Sequence, residues 1–193
     1  MANENHPLKL TLILGGARSG KSTFAEGLAS RSGEEVVYIA TAQALDEEMA
    51  QRIAAHQQKR PQSWQTLEIP LNVGKRLLDN PPQADVIVLD CLTLLVSNAL
   101  LTAAPDVDQP DERAAQAQVT AEIEALEAAI QSIPAAWIVV SNEVGMGLVP
   151  PYPLGRIYRD LLGWANQRLA RRAGRVIFML AGLPMRLKPD LEA

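Results

Sequence analysis

The sequence predicts an α/β fold, a mainly parallel sheet with helices on both faces, in a single domain. Three observations predict it. Short apolar, β-rich runs alternate with helix-like segments along the chain. The runs Val86-Ile87-Val88-Leu89 and Trp137-Ile138-Val139-Val140 are apolar throughout, as expected of parallel strands covered on both faces. A glycine-rich loop joins the first apolar run to the first helical one, the connection that α/β phosphate sites use.

Strands are expected at Lys9–Leu14, Val36–Ala40, Trp64–Ile69, Val86–Asp90, Trp137–Ser141 and Val176–Ala181. Helices are expected over 21–31, 45–60, 92–103, 111–132 and 154–173. The last carries Leu154, Ile157, Tyr158, Leu161, Leu162, Ala165 and Leu169 on one stripe, with Gly174 placed to cap it. Residues 1–8 read as a polar tail and 9–193 as the folded domain. The stretch Ala103–Asp111, with Pro105 and Pro110 among acids, reads as a surface loop. Gly145–Gly155 is a second loop, longer than the ~2–6 residues of an ordinary βα connection, and is expected to act as a lid or a subunit contact.

Composition narrows the functional classes. A chain of 193 residues buries enough surface to need no disulfide or metal staple. Its one cysteine, Cys91, excludes an internal disulfide and suits a reducing compartment. Eighteen basic against 22 acidic residues leave a net charge of −4, which argues against a nucleic-acid coat. No apolar run approaches the ~20 residues of a membrane span, and the polar N-terminus does not read as a secretion signal. A soluble cytoplasmic protein is expected.

The strongest motif is Gly15-Gly16-Ala17-Arg18-Ser19-Gly20-Lys21-Ser22, a full match to GxxxxGK[ST]. Glycines let the backbone curl so that successive N–H groups face phosphate oxygens, and the following helix adds its positive end. Lys21 is placed for the β and γ phosphates of a nucleoside triphosphate, and the Ser22 hydroxyl for Mg²⁺. Asp90 ends an apolar strand at the edge where open α/β sheets bind ligands, which makes it the candidate second Mg²⁺ ligand.

The segment Leu45–Pro61 carries His56 with Arg52 and Arg60 four residues to either side, on one helical face, and Lys59 close to it. Nearby cations favour neutral imidazole, the nucleophilic form. Two readings stand on the residues alone: a phosphate-handling histidine, or a solvated basic face. Glu143, just past the 137–141 strand, reads either as a site acid or as a turn cap. Cys91 reads as a small apolar filler, and Trp64, Trp137 and Trp164 as core or interface residues.

Taken together, GGARSGKS, YIATAQALDEEMAQRIAAHQQKRP, WQTLE, VIVLDCLT, SNEVGMGLVP and RDLLGWANQRLA resemble the bifunctional adenosylcobinamide kinase/adenosylcobinamide-phosphate guanylyltransferase family of cobalamin biosynthesis. The resemblance runs from about Leu12 to about Gly182, and its 39–61 and 142–150 blocks are more specific than the phosphate loop. It implies a RecA-like P-loop fold, assembled as a homo-oligomer, a trimer. It also implies two reactions: phosphorylation of adenosylcobinamide by ATP or GTP, then transfer of GMP from GTP through a guanylylated histidine to adenosylcobinamide phosphate. Residue by residue, it implies nucleotide contacts at Gly15 to Ser22, Ala40, Thr41, Ala42, Gln57, Gln58, Lys59, Arg60, Glu68 and Asp90. Catalysis falls to Lys21 and His56, and the metal to Ser22 and Asp90. Position 90 is often glutamate in the family, so Asp90 reaches about one methylene less, and a single histidine stands where some members have a pair. The alternatives are a P-loop small-molecule kinase without guanylyl transfer, and a RecA-like ATPase module.

Overall fold

The computed structural model describes residues 8–43, 47, 51 and 60–188. Its strands are β1 (Leu8–Gly15), β2 (Val36–Ala40), β3 (Gln65–Glu68), β4 (Val86–Asp90), β5 (Ala136–Val140), β6 (Ala173–Leu180) and β7 (Leu183–Lys188). Its helices are α1 (Lys21–Ser32), α2 (Val73–Asp79), α3 (Leu92–Ala103), α4 (Glu112–Ser132) and α5 (Pro153–Arg172). The expected α/β class is the observed one. The helix expected over 45–60 lies, apart from the few positions above, outside the described residues.

The strands form one seven-stranded sheet in the order β3-β2-β4-β5-β1-β6-β7. Every neighbouring pair is parallel except β6–β7. The uninterrupted apolar runs follow from burial on both sides. In β4, Val86 and Val88 join the cluster under α1 with Ala25 and Ala29, while Ile87 and Leu89 join the larger cluster with Leu92, Leu95 and Leu126. Among the described residues α1 lies on one face of the sheet and α2 to α5 on the other.

Three elements depart from expectation. The helix α5 ends without a glycine cap: Ala173 already begins β6 and Gly174 lies within that strand, because the chain turns straight from helix to sheet. Helix α2 was not expected, being seven residues long with no side-chain cap of its own at Asn72. Its first N–H groups are met from far along the chain, where the Glu122 carboxylate accepts from Asn72 N and Val73 N at 2.8 Å each. The expected single strand near 176–181 is the first arm of a hairpin. Ala181 and Gly182, with φ of 50° and 82°, form its two-residue turn, and β7 returns antiparallel.

β5 lies between β1 and β4, so the phosphate loop and Asp90 leave the sheet on strands separated by one other. Both stand at the carboxyl edge of the parallel sheet, the edge that binds ligands in this architecture. No helix among the described residues is long and apolar enough to cross a membrane.

Candidate active site

The phosphate loop is a constrained backbone. Gly15 has φ 152°, and a Cβ there would stand 2.5 Å from the Met179 carbonyl oxygen and 2.8 Å from Ser19 Oγ. Gly20 enters α1 at φ 93°, and Arg18 adopts φ 55° at the tip. Neighbouring strands clamp the loop: Glu143 N donates to Gly15 O at 3.1 Å, and Gly182 N to Ser19 O at 3.1 Å. Gly16, Ala17 and Arg18 remain exposed.

Lys21 folds back over this loop. Its Nζ donates to Gly16 O at 2.6 Å and stands 3.5 Å from Ser19 Oγ. Burial pulls its pKa below the ordinary lysine range, while Cys91 and Asp90 push it back up. An ammonium so placed can exchange a carbonyl partner for phosphate oxygens without leaving the loop. Ser22, at the second position of α1, is half-buried.

Ala40, Glu68 and Asp90 are in register across β2, β3 and β4, so three expected site positions end side by side. Thr41, next along, is wholly buried. Its hydroxyl accepts from Cys91 N and donates to Cys91 O, at 2.7 Å each, while Asn98 Nδ2 donates to Thr41 O at 3.0 Å. The Thr41 side chain thus ties β2 to the residue after β4 and presents no free face to a ligand. Cys91 beside it has its thiol pushed up to about 11, chiefly by burial, consistent with filler rather than nucleophile.

Tyr38 is the site residue that sequence reasoning overlooked. Its hydroxyl donates to Asp90 Oδ2 at 2.6 Å, and the Arg60 guanidinium carbon lies 3.5 Å from its ring centroid. Arg60, with its side chain 7% exposed, also pairs with Glu26 at 3.7 Å, and the Trp64 ring stacks on Tyr38 at 6.4 Å. A signal did exist: a tyrosine inside the apolar run VVYIA must find a partner for its hydroxyl when buried. Arg60 is brought to this cluster, whereas His56, Gln57, Gln58 and Lys59 lie outside the described residues, as does the i, i+4 face argued for them.

At the end of β5 the Glu143 carboxylate accepts from Gly145 N at 2.7 Å, which is the turn-capping role. The same residue lines a cleft of about 480 Å³ with Leu14, Arg159, Trp164 and Asn166, so it also faces open space beside β1. That cleft shares Arg159, Asp160 and Trp164 with another of about 710 Å³ between α4 and α5, which contains no residue of the phosphate loop. Asn166 anchors this side: Ser141 Oγ donates to its Oδ1 at 2.7 Å, and its Nδ2 donates to Asn142 O at 3.0 Å. Trp137 is core, whereas Trp164 is part of the cleft wall. The Gly145–Gly155 loop exposes Met146, Leu148, Val149 and Tyr152, and Arg156 holds its far end through Pro150 O and Pro151 O.

No group of three or more His, Cys, Asp or Glu side chains that could hold a metal occurs among the described residues. The donor set expected from the sequence is one carboxylate, Asp90, and one hydroxyl, Ser22. It suits Mg²⁺, which keeps its waters and takes one or two carboxylates together with substrate phosphates.

Residues 11–187 match the family model described as cobinamide kinase / cobinamide phosphate guanyltransferase. The chain is 47% identical over 179 residues to the bifunctional adenosylcobalamin biosynthesis protein CobP of Pseudomonas aeruginosa, covering 93% of this chain and 97% of that protein. It is 42% identical over 182 residues to the corresponding CobU protein of Escherichia coli, covering 93% and 99%. Among solved structures, that of the RadB recombinase aligns with a TM-score of 0.45 at 16% identity, over 89% of this chain and 74% of that one.

Proposed function

This chain belongs to the cobinamide kinase / cobinamide phosphate guanyltransferase family, and from that premise we propose that it performs both reactions on adenosylcobinamide. One observation supports this reading above the others. The Lys21 ammonium is held over a complete phosphate loop at 2.6 Å from Gly16 O, with Asp90 at the same sheet edge and close enough to act on its pKa.

In the kinase step the loop N–H groups and Lys21 hold the β and γ phosphates of ATP or GTP. The substrate hydroxyl attacks the γ-phosphorus, the bond to the β-phosphate oxygen breaks, and the hydroxyl proton passes to water. Ser22 and Asp90 would hold Mg²⁺, which when bound neutralises charge on the phosphates. In the second step an imidazole nitrogen of His56 attacks the α-phosphorus of GTP, forming a P–N bond as pyrophosphate leaves. The phosphate oxygen of adenosylcobinamide phosphate then attacks the same phosphorus, releasing His56 and giving adenosylcobinamide-GDP. The histidine divides one difficult displacement into two.

Ala40, Ala42, Gln57, Gln58, Lys59, Arg60 and Glu68 complete the nucleotide contacts in this reading, and Thr41 acts through its tie to Cys91. The protein works as a homo-oligomer, a trimer, in the cytoplasm. The exposed Met146, Leu148 and Val149 support a subunit contact.

Incubation with GTP, Mg²⁺ and adenosylcobinamide, followed by mass analysis, tests the proposal. Adenosylcobinamide-GDP and pyrophosphate are expected. Phosphorylated corrinoid that never acquires GMP would favour a simple kinase, and ATP hydrolysis that depends on a protein partner would favour an ATPase module.

A further inference from the structure

The chain leaving β5 runs between the two halves of the site, because β5 lies between β1 with its phosphate loop and β4 with Asp90. Two consecutive amides there are tied in opposite directions. Asn142 N donates to Oγ1 of Thr93, three residues past Asp90, at 2.7 Å. Glu143 N donates at 3.1 Å to Gly15 O, at the head of the loop. We infer that Glu143 is the general base of the kinase step, taking the proton of the substrate hydroxyl as it attacks the γ-phosphorus. The inference rests on the proposed kinase reaction and adds a residue to it.

The position is rigid. Ser141 N donates to Ile13 O at 2.9 Å, and Asn166 Nδ2 donates to Asn142 O at 3.0 Å, so the backbone entering Glu143 is held from β1, α3 and α5. The side chain is held too, with Oε1 accepting from Gly145 N at 2.7 Å. A carboxylate fixed in this way needs little reorganisation when a substrate arrives. Its capping bond uses Oε1 and leaves Oε2 to take a proton. Glu143 is half-buried and faces the 480 Å³ cleft together with Leu14, the residue before the loop, which gives a hydroxyl a way in beside β1. The other charged groups at the loop are committed: Lys21 is a cation donating to Gly16 O, and Asp90 accepts from Tyr38 and serves the metal.

In the step, the hydroxyl oxygen bonds to the γ-phosphorus as the bond from that phosphorus to the β-phosphate oxygen breaks. The hydroxyl proton passes to Glu143 Oε2, and the carboxylic acid then gives it to water in the cleft, restoring the carboxylate. A positioned base contributes ~10²–10⁴-fold. Transfer of GMP needs no such base, since the attacking imidazole nitrogen and phosphate oxygen each bring a free lone pair.

Glu143→Gln keeps the side-chain length and an Oε1 acceptor while removing the base. Three measurements on the full chain with Mg²⁺ test it: transfer of the γ-phosphate of GTP to adenosylcobinamide, covalent label from α-labelled GTP without corrinoid, and GMP transfer to supplied adenosylcobinamide phosphate. In Glu143→Gln the kcat of the first should fall by about 10²-fold or more with KM for GTP unchanged, while the other two keep wild-type rates. Gly145→Ala is a second variant: a Cβ there would stand 2.9 Å from Glu143 Oε1, so the carboxylate is displaced with its charge kept. The same kcat alone should fall, by about tenfold. Unchanged γ-phosphate transfer in Glu143→Gln, or an equal loss in all three measurements, would overturn the inference. The proposed function fails differently: a wild-type chain that transfers no γ-phosphate to adenosylcobinamide would remove the kinase step itself.

Discussion

The Tyr38 hydroxyl donates a 2.6 Å hydrogen bond to Asp90 Oδ2 across the β2–β4 pair, although Tyr38 is in register with Val88 and Asp90 with Ala40. The two residues are diagonal neighbours on one face of the sheet, within reach of a long aromatic side chain. Burial pushes the Tyr38 pKa up, and the Asp90 charge and hydrogen bond push it the same way, so the phenol keeps its proton and always donates. One Asp90 oxygen is thereby fixed and the rotamer chosen, while the ring face of the same tyrosine seats Arg60.

Tyr38→Phe removes this hydrogen bond and keeps the ring. A hydrogen bond to a charged group contributes ~1.5–3 kcal/mol, so a kinase kcat/KM roughly 10- to 100-fold lower is expected at limiting Mg²⁺. Steady-state assays across Mg²⁺ concentrations check this, with a thermal melt to show that the fold is kept. Wild-type behaviour would mean that Asp90 needs no tether.

Lys21→Ala and Asp90→Ala should each lower both reactions by about 10²-fold or more, because the phosphates need the same charge partners whatever the acceptor is. The two half-reactions are assayed separately. A variant with normal rates in either would take its residue out of that step.

His56→Ala should abolish guanylyl transfer while sparing at least part of the kinase step. GTP labelled in the α-phosphate should leave covalent label on the wild-type chain without corrinoid, lost in acid and stable in alkali, as for a phosphoramidate. The other histidine, His6, stands among the first residues and is not expected to substitute. Label persisting in His56→Ala, or arriving from the γ-phosphate, would count against the histidine carrier.

Glu122→Gln tests the remote cap on α2. One acceptor oxygen of the pair bound to Asn72 N and Val73 N is replaced by an amide NH₂, at an expected cost of ~1–3 kcal/mol. Burial raises the Glu122 pKa above the ordinary 4.5, outweighing the two N–H donors that lower it. The folded chain therefore holds this proton to higher pH than the unfolded chain. The linked stability is present below about 4.5 and is lost as pH rises toward the raised value. Denaturation midpoints between about pH 4 and pH 8 should show that slope in the wild type and a flatter one in the variant.

The phosphate loop was legible because its chemistry is local: glycines, lysine and serine at fixed spacing between a strand and a helix carry the function within eight residues, 15–22. Strands β2 and β4 were legible to the residue for a similar reason, since burial on both faces leaves an unbroken apolar run. Helix α2 was not, because its N-terminal donors are satisfied by Glu122, 50 residues away. Strand β7 was not, because its residues 183–187 are exposed on an edge and carry no alternation. By itself the sequence determined the α/β class, the loop, the acid at position 90 and the family resemblance. Only the tertiary structure decided that β5 separates the loop from Asp90, that Thr41 is a buried tie, and that Tyr38 fixes the acid. Those relationships join strands whose order along the sheet differs from their order along the chain, and burial and hydrogen bonding between them leave no spacing rule in the sequence.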